Sequence, residues 1–60
     1  MEVYYGVIYF RDGHKEETGG FSGTGAEQSC ERETYRRFEA AQRRAINDHF
    51  LPSRYEVKTR

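Results

Sequence analysis

The sequence predicts an α+β fold, a three-stranded antiparallel-type sheet packed on one helix in the chain order ββαβ. Three observations carry this: an aromatic and β-branched run closed by Asp12-Gly13, one apolar stripe at helical spacing, and a short alternating run after Pro52. With 60 residues there is material for a single domain, 1–60, and little space for a deep, dry cavity.

Residues 3–10 (Val-Tyr-Tyr-Gly-Val-Ile-Tyr-Phe) are apolar on both alternating faces, Val3, Tyr5, Val7 and Tyr9 on one and Tyr4, Ile8 and Phe10 on the other. Such a strand belongs at the centre of a sheet. Asp12-Gly13 is the dipeptide of a two-residue type I′ turn, so a second strand is expected to return from His14 to about Thr18. Residues 19–25 contain four glycines and read as a flexible connection that can extend the second strand through Phe21.

From about Glu27 the period changes. At about 100° per residue Tyr35, Phe38, Gln42, Ala45, Ile46 and His49 fall within one arc, the stripe with which a helix covers a sheet. Thr24 to Glu27 has the spacing of a capping box, and residues 26–32, ahead of the stripe, read as a frayed first part of the helix. Pro52 disfavours helical geometry at Leu51, which predicts a helix end near Phe50. Tyr55, Val57 and Thr59 then alternate with Glu56, Lys58 and Arg60 as a half-buried third strand, which pairs with the free edge of the first to give the order 2-1-3. One helix covers one face of such a sheet. Tyr4, Ile8 and Phe10, or else the alternate set, are left bare as a surface for homodimerisation or a protein partner.

Charge is unevenly distributed although ten bases and ten acids cancel. Residues 1–35 carry seven acids against three bases, and residues 36–60 seven bases against three acids. Opposite the apolar stripe, Arg36, Arg37, Arg43, Arg44 and Asn47 share a face around Ala40, and this is the candidate partner-binding site. Guanidinium groups offer planar paired donors to carboxylates or phosphates. A neutral domain with pI near 6.7 points to an acidic protein surface ahead of nucleic acid, for which a net basic chain is the rule. The alternative is a DNA-binding regulator that uses the same helix or the aromatic hairpin.

No chemistry-bearing motif accompanies this face. The glycine run lacks the Lys-Ser or Lys-Thr of a phosphate loop, and Glu27, Glu31 and Glu33 lie where an anion would sit. His14, Cys30 and His49 lack the paired spacing of a metal site, and Ser22, Ser29 and Ser53 lack the flanks of a nucleophile. A non-enzyme with no cofactor and no metal is expected. The single Cys30 cannot form an internal disulfide, and no basic-then-apolar leader or membrane span is present. The expectation is a cytoplasmic chain, complete from Met1, with no membrane partner.

Residues 47–57 (Asn-Asp-His-Phe-Leu-Pro-Ser-Arg-Tyr-Glu-Val) resemble the corresponding stretch of the small phage T7 inhibitors of bacterial RNA polymerase: aromatic, aliphatic, Pro, two residues, aromatic, Glu, Val and a basic end. The resemblance implies a compact helix-plus-sheet module that binds a host protein, with cations of its last strand, here Lys58 and Arg60, engaging acidic residues. The Tyr4-Tyr5 hairpin through Gly13, followed by Gly20-Phe21 and a helix, is similar to the arm-binding domains of tyrosine recombinases, in which the sheet reads DNA.

Overall fold

A computed structural model describes residues 2–60, with elements β1 (Tyr4–Phe10), β2 (Lys15–Glu17), α1 (Ala26–Arg44), a 3-10 helix (Asp48–Phe50) and β3 (Pro52–Thr59). The sheet has the order β2-β1-β3, with β1 antiparallel to both neighbours, so the α+β architecture and strand order are as the sequence predicts.

Register decides which face the helix takes. Tyr4, Gly6 and Ile8 stand opposite Thr59, Val57 and Tyr55, whereas Tyr5, Val7 and Tyr9 stand opposite Lys58, Glu56 and Arg54. The apolar residues of β3 therefore share a face with Gly6, Ile8 and Phe10, and its charged residues share the other. At Gly6 the missing side chain opens a gap that Thr34 of the helix fills. Ile8 and Phe10 are consequently buried under the helix, at 2% and 9% exposure, and Tyr4 lies on the same side. The expectation of Tyr4, Ile8 and Phe10 as a bare surface is thus corrected: of the two sets the sequence offers, the alternate one, with Tyr5, Val7 and Tyr9, is the one the helix leaves uncovered. Val7 is still only 1% exposed, because the tyrosines beside it and the long side chains of β3 cover it.

The helix packs through a stripe different from the one the large residues suggest. Its buried positions are Ala26, Cys30 and Thr34, four residues apart, continued by half-buried Phe38, Ala41 and Ala45. Small side chains let the helix axis come close to β1, so residues 26–32 are the tightly seated part and not a frayed one. Gln42, Ile46 and His49 are exposed. No side chain caps the first turn; Gly25, at φ 74°, makes the left-handed turn that brings the chain into the helix, in place of the expected capping box. The helix also stops earlier than Pro52 implies. Ala45 is extended, and the Asn47 side chain accepts from the backbone N–H of His49 at 2.9 Å, starting the separate 3-10 helix.

The two buried hydroxyls beside Gly6 find partners within their own layers. Thr34 Oγ1 donates to the Cys30 carbonyl at 2.7 Å, while Thr18 Oγ1 accepts from Gly6 N–H at 2.8 Å and donates to the Gly19 carbonyl at 3.0 Å. The hairpin is a three-residue loop, Arg11, Asp12 and Gly13, and not the two-residue turn expected. Gly13 N–H donates to the Phe10 carbonyl, Phe10 N–H donates to the His14 carbonyl, and Gly13 takes φ 99°. Beyond β2 the chain returns to β1 at Phe21, which exchanges two backbone hydrogen bonds of 2.7 Å with Tyr4.

Candidate partner-binding site

The four helix arginines occupy two rows, each joined by a seven-residue step. Arg36 and Arg43 lie on the back of α1, away from the sheet; Arg37 and Arg44, one position on, lean toward the β2 side, where Arg37 borders a hollow with Ile8 and Thr18. The first pair shares one carboxylate: Arg37 Nε donates to Glu33 Oε2 at 3.1 Å and Arg36 Nη1 lies 3.7 Å from Glu33 Oε1. The Glu33–Arg37 pair is the one the i,i+4 spacing predicts. Among the described residues neither Arg43 nor Arg44 forms an ion pair, and Glu39 does not reach Arg43. Asn47 leaves this face: the helix has ended before it, and its side chain is used as the cap of the 3-10 helix.

Arg44 stands at the rim of a groove of about 390 Å³ whose walls include Phe10, Ala41, Ala45, Ile46 and Phe50. Ile46 is 86% exposed and Phe50 48%, large apolar side chains with nothing over them. His14 forms the far wall, stacked on Phe10 with ring centroids 4.2 Å apart and planes 7° from parallel. The hairpin holds it there. Its backbone N–H donates to Asp12 Oδ1 at 3.0 Å and its Nδ1 also contacts that oxygen. The backbone bond chiefly holds the Asp12 carboxyl below its ordinary value. The sequence points to the arginines of this site but not to its apolar half, because Ile46 reads as a buried member of a longer helix and Phe50 only as the place where that helix ends.

The open sheet face is built differently. Arg54 lies over the Tyr9 ring with its guanidinium carbon 4.0 Å from the centroid, and Arg60 lies 4.4 Å over Tyr5. Tyr9 Oη donates to Glu56 Oε1 at 2.6 Å, and Arg54 and Lys58 approach the same oxygen at 3.3 and 3.7 Å. The Tyr9 hydroxyl is the main reason the Glu56 carboxyl is lowered and the Lys58 ammonium raised from their ordinary values. Arg60 is paired with Glu17 at 3.4 Å. The cations of this face are thus engaged within the molecule, whereas Arg43 and Arg44 are not.

Among the described residues no three His, Cys, Asp or Glu side chains are grouped to hold a metal ion, and none of the described helices is long and apolar enough to cross a membrane. Cys30 is fully buried beneath Thr34. No protein-family model, curated protein or solved structure matches the chain.

Proposed function

We propose that the chain is a small non-catalytic binding module of phage or accessory-gene type, acting in the cytoplasm, that occupies an acidic surface of a host or partner protein through the C-terminal half of its helix. The observation that carries this reading is the conjunction at that end: two arginines without an internal carboxylate partner beside two exposed apolar side chains, Ile46 and Phe50. A nucleic acid asks for a continuous run of cations with stacking rings or base-edge donors among them. A protein surface asks for an apolar anchor with a polar, charged rim, which is the composition found. Arg36 and Arg37 extend the rim at lower strength, since Glu33 already offsets part of their charge. The mechanism is occupation: the guanidinium groups steer approach to carboxylates and set register, and burial of Ile46 and Phe50 slows release.

Affinity capture from nuclease-treated lysate tests the proposal. A protein retained by the parent chain is expected to be lost by Arg43→Glu/Arg44→Glu and, independently, by Ile46→Asp. Retention by both variants contradicts it. A second reading, DNA binding, draws support from the interleaved Tyr5, Tyr9, Arg54, Lys58 and Arg60 of the open sheet. It requires the chain to be held on DNA with an affinity that falls steeply with salt.

A further inference from the structure

β3 is eight residues long and has one neighbour. Arg60 N–H donates to the Val3 carbonyl at 2.9 Å, and antiparallel alternation then turns the main chain of Arg54, Glu56 and Lys58 toward β1. The N–H and C=O groups of Tyr55, Val57 and Thr59 face outward, and no described residue pairs with them. The opposite sheet edge is blunted, because β2 has three residues, all charged and exposed. β3 carries charge too, at Arg54, Glu56 and Lys58, but these side chains stand on the sheet face away from the helix, and the strand is long enough to leave three residues with outward-facing main chain. Along its helix side lie half-buried Tyr55 and Val57, with Tyr35 at 47% exposure tilted onto Tyr55 at 6.0 Å.

We infer that this edge pairs with β3 of a second copy, antiparallel about a two-fold axis at Val57, so that two sheets join into one of six strands. Charge and the length of overlap together select the register. Because Tyr55, Val57 and Thr59 must bond across the seam, alternative registers differ by steps of two residues. Centred on Val57, Glu56 faces Lys58 of the second copy and Lys58 faces its Glu56, at the closely spaced non-hydrogen-bonded positions where cross-strand charge pairs act most strongly. One step one way sets Glu56 against Glu56 and Arg54 against Lys58. One step the other way sets Lys58 against Lys58, sets Glu56 against Arg60, whose guanidinium is held over Tyr5, and leaves only residues 56–60 overlapping, against 54–60. The chosen register brings Arg54 opposite Arg60, but both guanidinium groups are drawn inward over Tyr9 and Tyr5 of their own β1. The axis stands normal to the sheet, so both helices lie on one face and the Tyr35 and Tyr55 rings flank the seam.

Sedimentation equilibrium over a concentration series, combined with amide exchange at its two ends, tests this. The parent chain is expected to reach twice its 7.1 kDa. Glu56→Lys or Lys58→Glu alone should raise the dissociation constant about tenfold or more, and the double exchange, which restores opposite charges across the axis, should return it to within about threefold. The amides of Tyr55, Val57 and Thr59 should exchange about tenfold slower at the dimeric end. A parent chain that stays monomeric at millimolar concentration overturns the inference. So does a dimer that leaves those three amides unprotected, a reading on the unmodified chain that decides the matter even if a single variant fails to fold. Single exchanges without effect on a folded dimer, or a double variant no better than the singles, overturn the register.

Discussion

Replacing Gly6 by alanine tests the packing from which the whole arrangement follows. An ideal Cβ at Gly6 would stand 1.7 Å from Thr34 Oγ1 and 2.7 Å from both Cβ and Cγ2 of Thr34. Rotation of the threonine cannot relieve this, since its own Cβ is among the clashing atoms and the side chain is fully buried. The helix must withdraw, loosening Ala26 and Cys30 as well. Overpacking of this kind costs about 1–3 kcal/mol, and the gain from a less flexible unfolded chain offsets roughly 0.5–1 kcal/mol, so a net loss of about 1–2 kcal/mol is expected. Against a total of roughly 3–9 kcal/mol for a chain of this length, that is a large fraction, with a melting temperature lower by on the order of 10 °C. Urea unfolding of Gly6→Ala, Thr34→Ala and the double variant measures it. Thr34→Ala removes two of the three clashing atoms, so the double variant should be more stable than the sum of the singles by about 1 kcal/mol. Strict additivity, or a Gly6→Ala loss below about 0.5 kcal/mol, would refute the close approach.

Gly13→Ala should cost about 1 kcal/mol through its φ of 99° alone, nothing lying within 4 Å of the added methyl, while Gly19→Ala, equally unobstructed and without positive φ, should be near neutral in thermal unfolding. The Glu56 carboxyl should titrate below its ordinary 4.5 in an NMR titration and move back toward it in Tyr9→Phe. Because the folded value is the lower one, the stability linked to Glu56 is present above pH 4.5 and is lost as pH falls through the folded value; Tyr9→Phe should flatten that dependence. Arg43→Glu/Arg44→Glu should lower the unfolding free energy in urea by about 1–2 kcal/mol, because both cations lie in the last turn of the helix, at the carbonyl end of its dipole.

The sheet was readable because strands write themselves in period two. A doubly apolar run can only be central, and the alternation of Tyr55, Val57 and Thr59 placed β3 on its open side. Which face the helix would take was not readable from apolarity, since both faces of β1 are apolar; the signal was Gly6, an absence of side chain in the middle of a strand. The helix stripe misled for the same reason. Ala26, Cys30 and Thr34 are small, so the large apolar residues at helical spacing, Tyr35 and Ile46, outline a different stripe that runs past the end of the helix. Asn47 marked that end, but its spacing from Arg43 made it read as part of the basic face. The arginines themselves were legible from spacing; that Arg36 and Arg37 share Glu33 while Arg43 and Arg44 stand beside an apolar groove required the fold.

The most direct test of the central claim compares two charge reversals on one captured partner. Arg43→Glu/Arg44→Glu changes the helix end, and Arg54→Glu/Arg60→Glu changes the open sheet, with the dissociation constant measured for each as a folded protein. Loss of binding on reversal at the helix, with the sheet variant within about threefold of the parent, is the predicted result. Binding that survives reversal at Arg43 and Arg44 and disappears on reversal at Arg54 and Arg60 would contradict it and move recognition to the aromatic face.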